Sequence, residues 1–567
     1  MGTGFTMWVQ SGREDGSKTI RLIQGGKEVV STIRGWRNRE PDDNYLLTLK
    51  DSLSRSDSFA DSGLSNVVMY NMHVASFARG SNRFGTFASA MTELGYLKEL
   101  GVNVIRVMGV APSKCDGDGI DVMCWMNAHT IFPDVIHPFL GTSADILQFI
   151  HAAHALQIRV ICDIDFTAFT AASNYFNYDL SSFPTAFGPL FESSSSFAYN
   201  SHTCQAADLG EDHPMNVVLT NMIYRYTYVL GFDGLYWKGL LCFRLDDPRC
   251  GEGIGEDNVI HTKLLKEAKH HFDTVKYWFG EDDDNVHLAG NASQIQNIVA
   301  TDESGIGFDG KRDLSVFQYI RGYFLQAMID QKGLVKFLQQ RSTFPQNNLI
   351  SIETPESAFQ NRLVPEIEAI VGNATNAVKI ALQMEMVLLS TPGMISITQG
   401  FEYFESEPLS NNAPFLFSND RNYSPYQHFS NIASNYPEFA TLQFLISARA
   451  RYNWNFASSK VIVDDEDRHV LVWEIGSGNE MRVVVMNLSK EDLSDEAIVF
   501  PIPEPFTQKN SWSYNLNTDD PSVDPRNTIM TEPVDIVECT PKASQKEQWC
   551  LSLFIGSYGL KVLYPVM

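Results

Sequence analysis

Gly231-Phe232-Asp233-Gly234-Leu235-Tyr236-Trp237-Lys238 links an apolar run, Met222 to Leu230, to a short apolar segment that ends on a charge. The run predicts a helix that stops at Gly231, and Phe232 to Trp237 predicts a strand. A helix, a glycine, a short apolar strand and a polar residue at its carboxyl end form the repeating unit of a (β/α)8 barrel. In such barrels active sites form at the carboxyl ends of the strands.

The alternation extends to both sides. Asn66 to Met72 reads as a first strand. Thr86 to Leu100 reads as a helix, with Met91, Leu94, Leu97 and Leu100 at helical spacing. Gly101 closes it, and Val102 to Val107 is the next strand. Ser143 to Leu156, capped by Thr142 or Ser143, leads to a third strand at Arg159 to Asp163. Residues 166 to about 214 are rich in Ser, Phe, Tyr and Asn and predict a short irregular insertion. Beyond Lys238, His261 to Trp278 reads as a helix, Val286 to Ala289 as a strand and Leu314 to Ile329 as a helix. Asn348 to Ile352 reads as a strand, Ala377 to Ser390 as a helix, and Pro392 to Gly400 as a turn and the last strand. Phe439 to Tyr452 closes the unit. Such alternation predicts a parallel sheet with helical crossovers.

The flanks differ. Phe5 to Val9, Thr19 to Ile23 and Tyr45 to Leu49 predict short strands, followed by a Ser/Asp-rich linker at residues 52–65. Alternating segments such as Val470-Leu-Val-Trp473 and Arg482-Val-Val-Val-Met486 predict strands after residue 455. The expected class is α/β: a β appendage at 1–65, a (β/α)8 TIM barrel at 66–452 with a short inserted domain after strand 3, and a C-terminal antiparallel β-sandwich at 453–567.

A chain of 567 residues, 44% hydrophobic and 20% charged, has room for one large domain and one or two small ones. Its formal net charge of -25 opposes binding to nucleic acid or an anionic membrane; it is read first as a solvated acidic surface that favours solubility, and second as suited to basic partner proteins. No run of about 18 apolar residues is present, so no transmembrane segment is expected. Met1 to Trp8 lacks the basic start and apolar core of a secretory signal, which predicts an intracellular chain or a trimmed one. Cys115/Cys124, Cys242/Cys250 and Cys539/Cys550 are spaced to close small disulfide loops. Asn291, Asn373, Asn422 and Asn487 each begin a formal glycosylation triplet. The cysteine spacing and the triplets suit an extracellular or lumenal location as well as the rest of the sequence suits an intracellular one.

The Gly231–Lys238 stretch resembles the fourth barrel strand of the α-amylase superfamily, glycoside hydrolase family 13, whose pattern is Gly-Phe-Asp-Gly-Phe-Arg-x-Asp. Tyr96 to Ile105, Phe139 to Thr142, Ala152 to His154, Arg159 to Asp163 and Leu388 to Ile395 are similar to framework segments of that superfamily, in the same order. The resemblance covers roughly Asn66 to the end and implies the fold, not the activity.

The positions that the resemblance marks as chemical are changed. Lys238 stands at the nucleophile position and Tyr236 at the arginine. Retaining glycoside hydrolysis needs a carboxylate nucleophile and a carboxylic acid. An ammonium forms no glycosyl ester and repels an oxocarbenium-like transition state. The acid is a Glu after the fifth strand in a Leu-x-Gly-Glu context. With that strand read at Val286 to Ala289, the position holds Asn291, and Glu281 is set aside because it precedes the strand. The third strand ends Asp163-Ile164-Asp165-Phe166-Thr167-Ala168 where the superfamily has Asp-x-x-x-Asn-His. Glu353-Thr354-Pro355 replaces the Asn-His-Asp after the seventh strand, and Asn127-Ala128-His129 replaces a Gly-Tyr-Asp.

The expected function is that of a catalytically inactive structural or protein-interaction subunit. Its lost site is similar to that of the heavy chains of heteromeric amino-acid transporters, although those carry a membrane helix. The alternative is a carbohydrate-active enzyme with a rebuilt site using Asp165 and Glu353, or a sugar-binding module using Tyr236 and Trp237. In the inactive reading Lys238 pairs with Asp165 or Glu353. No cofactor is expected. His151 and His154 share a helix face but have no third ligand, and Asp282 to Asn285 lacks the glycine and distal Glu of a calcium loop.

Overall fold

The computed structural model describes residues 5–11, 18–24, 27–33, 43–54, 67–78, 85–111, 113–114, 123–124, 136–137, 140–165, 168–170, 191–199, 202–207, 222–238, 277–280, 307–312, 314–326, 328–342, 350–353, 362–405, 437–452, 454, 459–507, 510–519, 533–539 and 548–566. The segments before residue 43, several short strands, and Asp165, Lys238 and Glu353 are described through the backbone alone.

Eight parallel strands close into a barrel: β1 (Val68–His73), β2 (Val104–Met108), β3 (Arg159–Asp165), β4 (Gly234–Lys238), β5 (Tyr277–Gly280), β6 (Gly310–Arg312), β7 (Ile350–Glu353) and β8 (Met394–Thr398). Their spatial order follows the chain, and β8 returns to β1 with Ser396 opposite Met69. Alternation along each strand divides the side chains between two cores. Val67, Met69, Val104, Ile161, Tyr236, Phe279 and Met394 form one cluster on the barrel axis. Residues of the opposite parity, including Tyr70, Ile105, Val160, Leu235, Trp237, Trp278 and Ile397, join the surrounding helices in a much larger cluster.

The predicted caps are present. Thr142 Oγ1 accepts from the Asp145 N–H while Asp145 reaches back to the Thr142 N–H, and this double cap starts the Ser143–Ala155 helix. Gly101 ends the Leu94–Leu100 helix in the left-handed region at φ 96°.

Four expectations are corrected. Tyr45 to Leu49 is not a strand but part of a helix, Asp43–Ser54. Leu46, Leu49 and Leu53 fall on one helical face and pack on the main core, which a five-residue window does not reveal. The fifth strand is Tyr277–Gly280, so the predicted helix from His261 cannot include Trp278; the segment Val286 to Ala289 lies outside the described residues. The sixth strand, Gly310–Arg312, was not predicted at all. The insertion after β3 is not wholly irregular: Ala168–Thr170, Phe191–Tyr199 and His202–Ala207 form an antiparallel sheet.

At the N-terminal end, Phe5–Ser11, Lys18–Gln24 and Lys27–Ile33 form a three-stranded antiparallel sheet. At the C-terminal end, a five-stranded sheet built from Ser459–Asp465, Val470–Ile475, Arg482–Asn487, Leu560–Val566 and Ser511–Asn517 shares a core with a three-stranded sheet. The smaller sheet contains Leu493–Pro501, Gln548–Ile555 and Asp535–Cys539, and Cys539 is disulfide-bonded to Cys550.

The Ala374–Leu389 helix fixes the barrel to this C-terminal sheet. Gln383 Nε2 donates to the carbonyls of Asn487 and Gly559. Lys379 Nζ lies 3.1 Å from Asp519 Oδ1, while Asp519 Oδ2 accepts from the Gly556 N–H and lies 3.5 Å from Lys561 Nζ. Asp519→Ala is expected to cost roughly 1–3 kcal/mol, because it removes an acceptor shared by two largely buried ammonium groups and the Gly556 amide. Urea unfolding measures this; a loss below about 0.5 kcal/mol, the scale of an ordinary surface change, would mean that solvent replaces the carboxylate.

Candidate active-site mouth

The inner face of the barrel changes from apolar to polar one step above the axial cluster. On β2, Arg106 sits in the otherwise apolar run Val104 to Met108. Its Nε and Nη2 donate to the two carboxylate oxygens of Asp163 on β3, at 2.9 and 3.2 Å. Its guanidinium carbon stands 3.4 Å from the centre of the Tyr236 ring on β4. Nη1 lies 3.5 Å from Asn71 Oδ1 on β1, and Ser396 Oγ on β8 donates to the same oxygen at 3.1 Å. All five residues are buried. A planar guanidinium can stack on a ring and bind a carboxylate with two parallel bonds at once, which an ammonium cannot. Thus one cation on β2 reaches side chains of β1, β3 and β4, and Asn71 extends the network to Ser396 on β8.

Lys238 and Asp165, the last residues of β4 and β3, are adjacent in strand register. Glu353 ends β7, and two strands lie between β4 and β7 in the barrel order. Of the two carboxylates expected beside Lys238, the backbone therefore brings Asp165 next to it. The side chains of Lys238, Asp165 and Glu353, and the whole of Asn291, Thr354 and Pro355, lie outside the described residues. Trp237 and Tyr236 are not open stacking surfaces. Both are fully buried: Tyr236 lies on the axis, and Trp237 packs against Trp278 and Phe308 in the helix layer.

Placing β5 at Tyr277–Gly280 changes the sequence argument about the acid. Glu281 does not precede the fifth strand; it directly follows Gly280, the last strand residue. The Asn291 reading rested on the other placement.

A second polar cluster stands on the rim, after β8. Gly400 turns the chain at φ 93°, and a Cβ there would approach Glu405 Cβ to 2.9 Å. The turn brings Glu402 back under the barrel rim, where Tyr70 and Tyr96 donate to Oε1 at 2.7 and 2.8 Å and the Gly400 N–H to Oε2 at 2.9 Å. Burial nevertheless pushes its carboxyl up to about 7. The neighbouring Gln399 accepts from the His73 N–H at 2.8 Å, and Arg362 donates to the Gln399 carbonyl at 2.9 Å. His137 is fully buried, and burial, then His73, pushes its imidazole down to about 3, so it is neutral. Sequence reasoning missed Arg106 and Glu402. Arg106 had a signal, a charge inside a five-residue apolar strand; Glu402 had none, since its burial depends on the turn at Gly400.

Among the described residues, no group of three or more His, Cys, Asp or Glu is arranged to hold a metal ion, and no helix is long and apolar enough to cross a membrane.

No family model matches the chain. It is 22% identical over 323 residues to Alpha-amylase 3 of Dictyoglomus thermophilum, covering 54% of this chain and 58% of that protein. It is 33% identical over 226 residues to the malto-oligosyltrehalose trehalohydrolase of Deinococcus radiodurans, covering 34% of each. The matches thus span about a third to somewhat over half of these relatives. Among solved structures, the α-amylase from H. orenii superposes with a TM-score of 0.62 at 15% identity, covering 89% of this chain and all of that one. The trehalose-6-phosphate hydrolase of Bacillus licheniformis gives a TM-score of 0.59 at 15% identity, covering 89% of this chain and 99% of that one.

Proposed function

We propose that the chain is a member of the α-amylase superfamily, to whose enzymes it is similar, and that it does not hydrolyse α-glucosides but serves as a folded binding or structural subunit. Its barrel would occupy residues 66–452, between the appendage at 1–65 and the β-sandwich at 453–567. The observation that carries this reading is the Arg106–Asp163–Tyr236 stack. Tyr236 stands where the superfamily pattern has its arginine, and the buried Arg106 comes instead from a different strand. Two residues beyond Tyr236, the nucleophile position is Lys238. A two-carboxylate retaining mechanism has no nucleophile on β4 in this chain. The acidic balance of -25 suits a basic protein partner.

A second reading is favoured by one observation, the position of Glu281 directly after β5. In it, the chain is a carbohydrate-active enzyme of the α-amylase type, with Glu281 as acid and Asp165 as the second carboxylate.

The assay is release of reducing ends from starch, maltooligosaccharides and sucrose, and of trehalose from maltooligosyl trehalose. No release is expected, with Glu281→Gln identical to the unmodified protein. Turnover that falls by roughly 100-fold or more in Glu281→Gln or Asp165→Asn, as when a catalytic group is lost, would overturn the first reading in favour of the second.

A further inference from the structure

We propose that Asn373 is a site of N-linked glycosylation, and that the chain therefore matures in an oxidising, lumenal compartment. Asn373-Ala374-Thr375 has the acceptor pattern, with threonine at the third position and no proline between. All three residues are exposed. Asn373 follows Gly372, which reverses the chain at φ 71° after the Leu363–Val371 helix, and Ala374 and Thr375 begin the Ala374–Leu389 helix.

The side chain is oriented for it. Asn373 is the N-cap of the second helix: its Oδ1 accepts from the Asn376 N–H at 2.9 Å. The amide oxygen is thus turned towards the helix. Among the described residues the amide nitrogen, which would carry the sugar, makes no hydrogen bond to the protein. A glycan on that nitrogen leaves the cap intact.

The other triplet within the described residues behaves oppositely. Asn487-Leu488-Ser489 begins with an asparagine that is 0% exposed. Its Nδ2 donates to the Glu491 carbonyl at 2.7 Å and the Gly556 carbonyl at 2.9 Å. A sugar on that nitrogen is incompatible with the fold. One chain thus carries a permitted triplet and a forbidden one.

An independent observation points to the same compartment. Cys539 and Cys550 are disulfide-bonded across neighbouring strands of the smaller C-terminal sheet. Structural disulfides persist in the secretory pathway and outside the cell and are rare in the cytosol. In that pathway the Asn373 amide nitrogen attacks C1 of a lipid-linked oligosaccharide diphosphate. The N–C1 bond forms as the C1–O bond to the lipid diphosphate breaks, and the amide proton leaves to a base of the transferase.

The test is glycopeptide mass spectrometry of the full chain from its native source, with release by a peptide-N-glycosidase in heavy-oxygen water, which hydrolyses the glycosylated amide to a heavy-oxygen-labelled aspartate and so marks occupied asparagines. Asn373 is expected to be occupied in most molecules and Asn487 in none. In a secretory host, Thr375→Ala, which leaves the capping asparagine in place, is expected to remove the Asn373 glycan completely, while Thr375→Ser retains it. Unmodified Asn373 in the native protein overturns the proposal. So does a Thr375→Ala protein that keeps the same glycopeptide.

Discussion

Arg106→Met is expected to lower the unfolding free energy by roughly 3–5 kcal/mol, the range observed when one partner of a buried ion pair is removed. Asp163 is the reason. Its side chain is 0% exposed and both its oxygens are bound by the one guanidinium. Without Arg106 the carboxylate must either stay charged in an apolar barrel or take up a proton, and both routes weaken the fold. The Tyr236 ring also loses the cation stacked on its face. Arg106→Lys is expected to fall between wild type and Arg106→Met, because an ammonium supplies neither the parallel bonds nor the stacked plane. Arg106→Met with Asp163→Leu is expected to regain most of the loss, since replacing a whole buried pair by apolar groups is often neutral. Denaturant unfolding at constant m-value measures all three. Arg106→Met within about 1 kcal/mol of wild type, the centre of the range for ordinary substitutions, would show that the stack does not hold the barrel together.

How far this site was legible in the sequence follows from which signals are local. Strands such as Val104–Met108 and Arg159–Asp165 were found because each follows a helix with a clear apolar face. Tyr277–Gly280 was missed because Trp278 and Phe279 are buried on opposite faces, one in the helix layer and one on the axis. A strand buried on both sides shows no alternation and is read as a continuation of the helix before it. Gly310–Arg312 is too short to carry any period. The first of these misses had a consequence for the resemblance, since the reading at Asn291 depended on a fifth strand at Val286 to Ala289. Lys238 and Tyr236, in contrast, sit in a strand whose flanks fix its register, so that strand could be read directly. Arg106 and Asp163 are 57 residues apart in sequence. Only the pairing of β2 with β3 makes them partners.

The stability of the protein is expected to fall as the pH rises from about 5 to about 8, and Glu385→Gln is expected to remove a large part of that slope. Glu385 lies in the Ala374–Leu389 helix, fully buried, and neither of its oxygens has a hydrogen-bond partner among the described residues. Burial pushes its carboxyl from 4.5 up to about 8, only partly offset by the charge of Arg449. Arg449 is itself pushed down to about 9 by burial, while it donates to the carbonyls of Leu389 and Gly393. Glu402 is raised in the same direction, to about 7. For both acids the folded state holds a proton that the unfolded chain releases near pH 4.5. Their contribution is therefore complete below that pH and is lost as the pH passes through about 7 for Glu402 and about 8 for Glu385. One proton per molecule corresponds to at most about 1.4 kcal/mol per pH unit. Thermal unfolding of wild type and Glu385→Gln, compared from about pH 5 to about pH 9, separates this group from the rest, because other titrations are common to both proteins. The substituted amide cannot ionise, and the carbonyls of Leu389 and Gly393 still hold Arg449. The expected result is a wild-type curve that drops away from the variant's above about pH 5, whereas parallel curves would place the Glu385 carboxyl at an ordinary value and in contact with water.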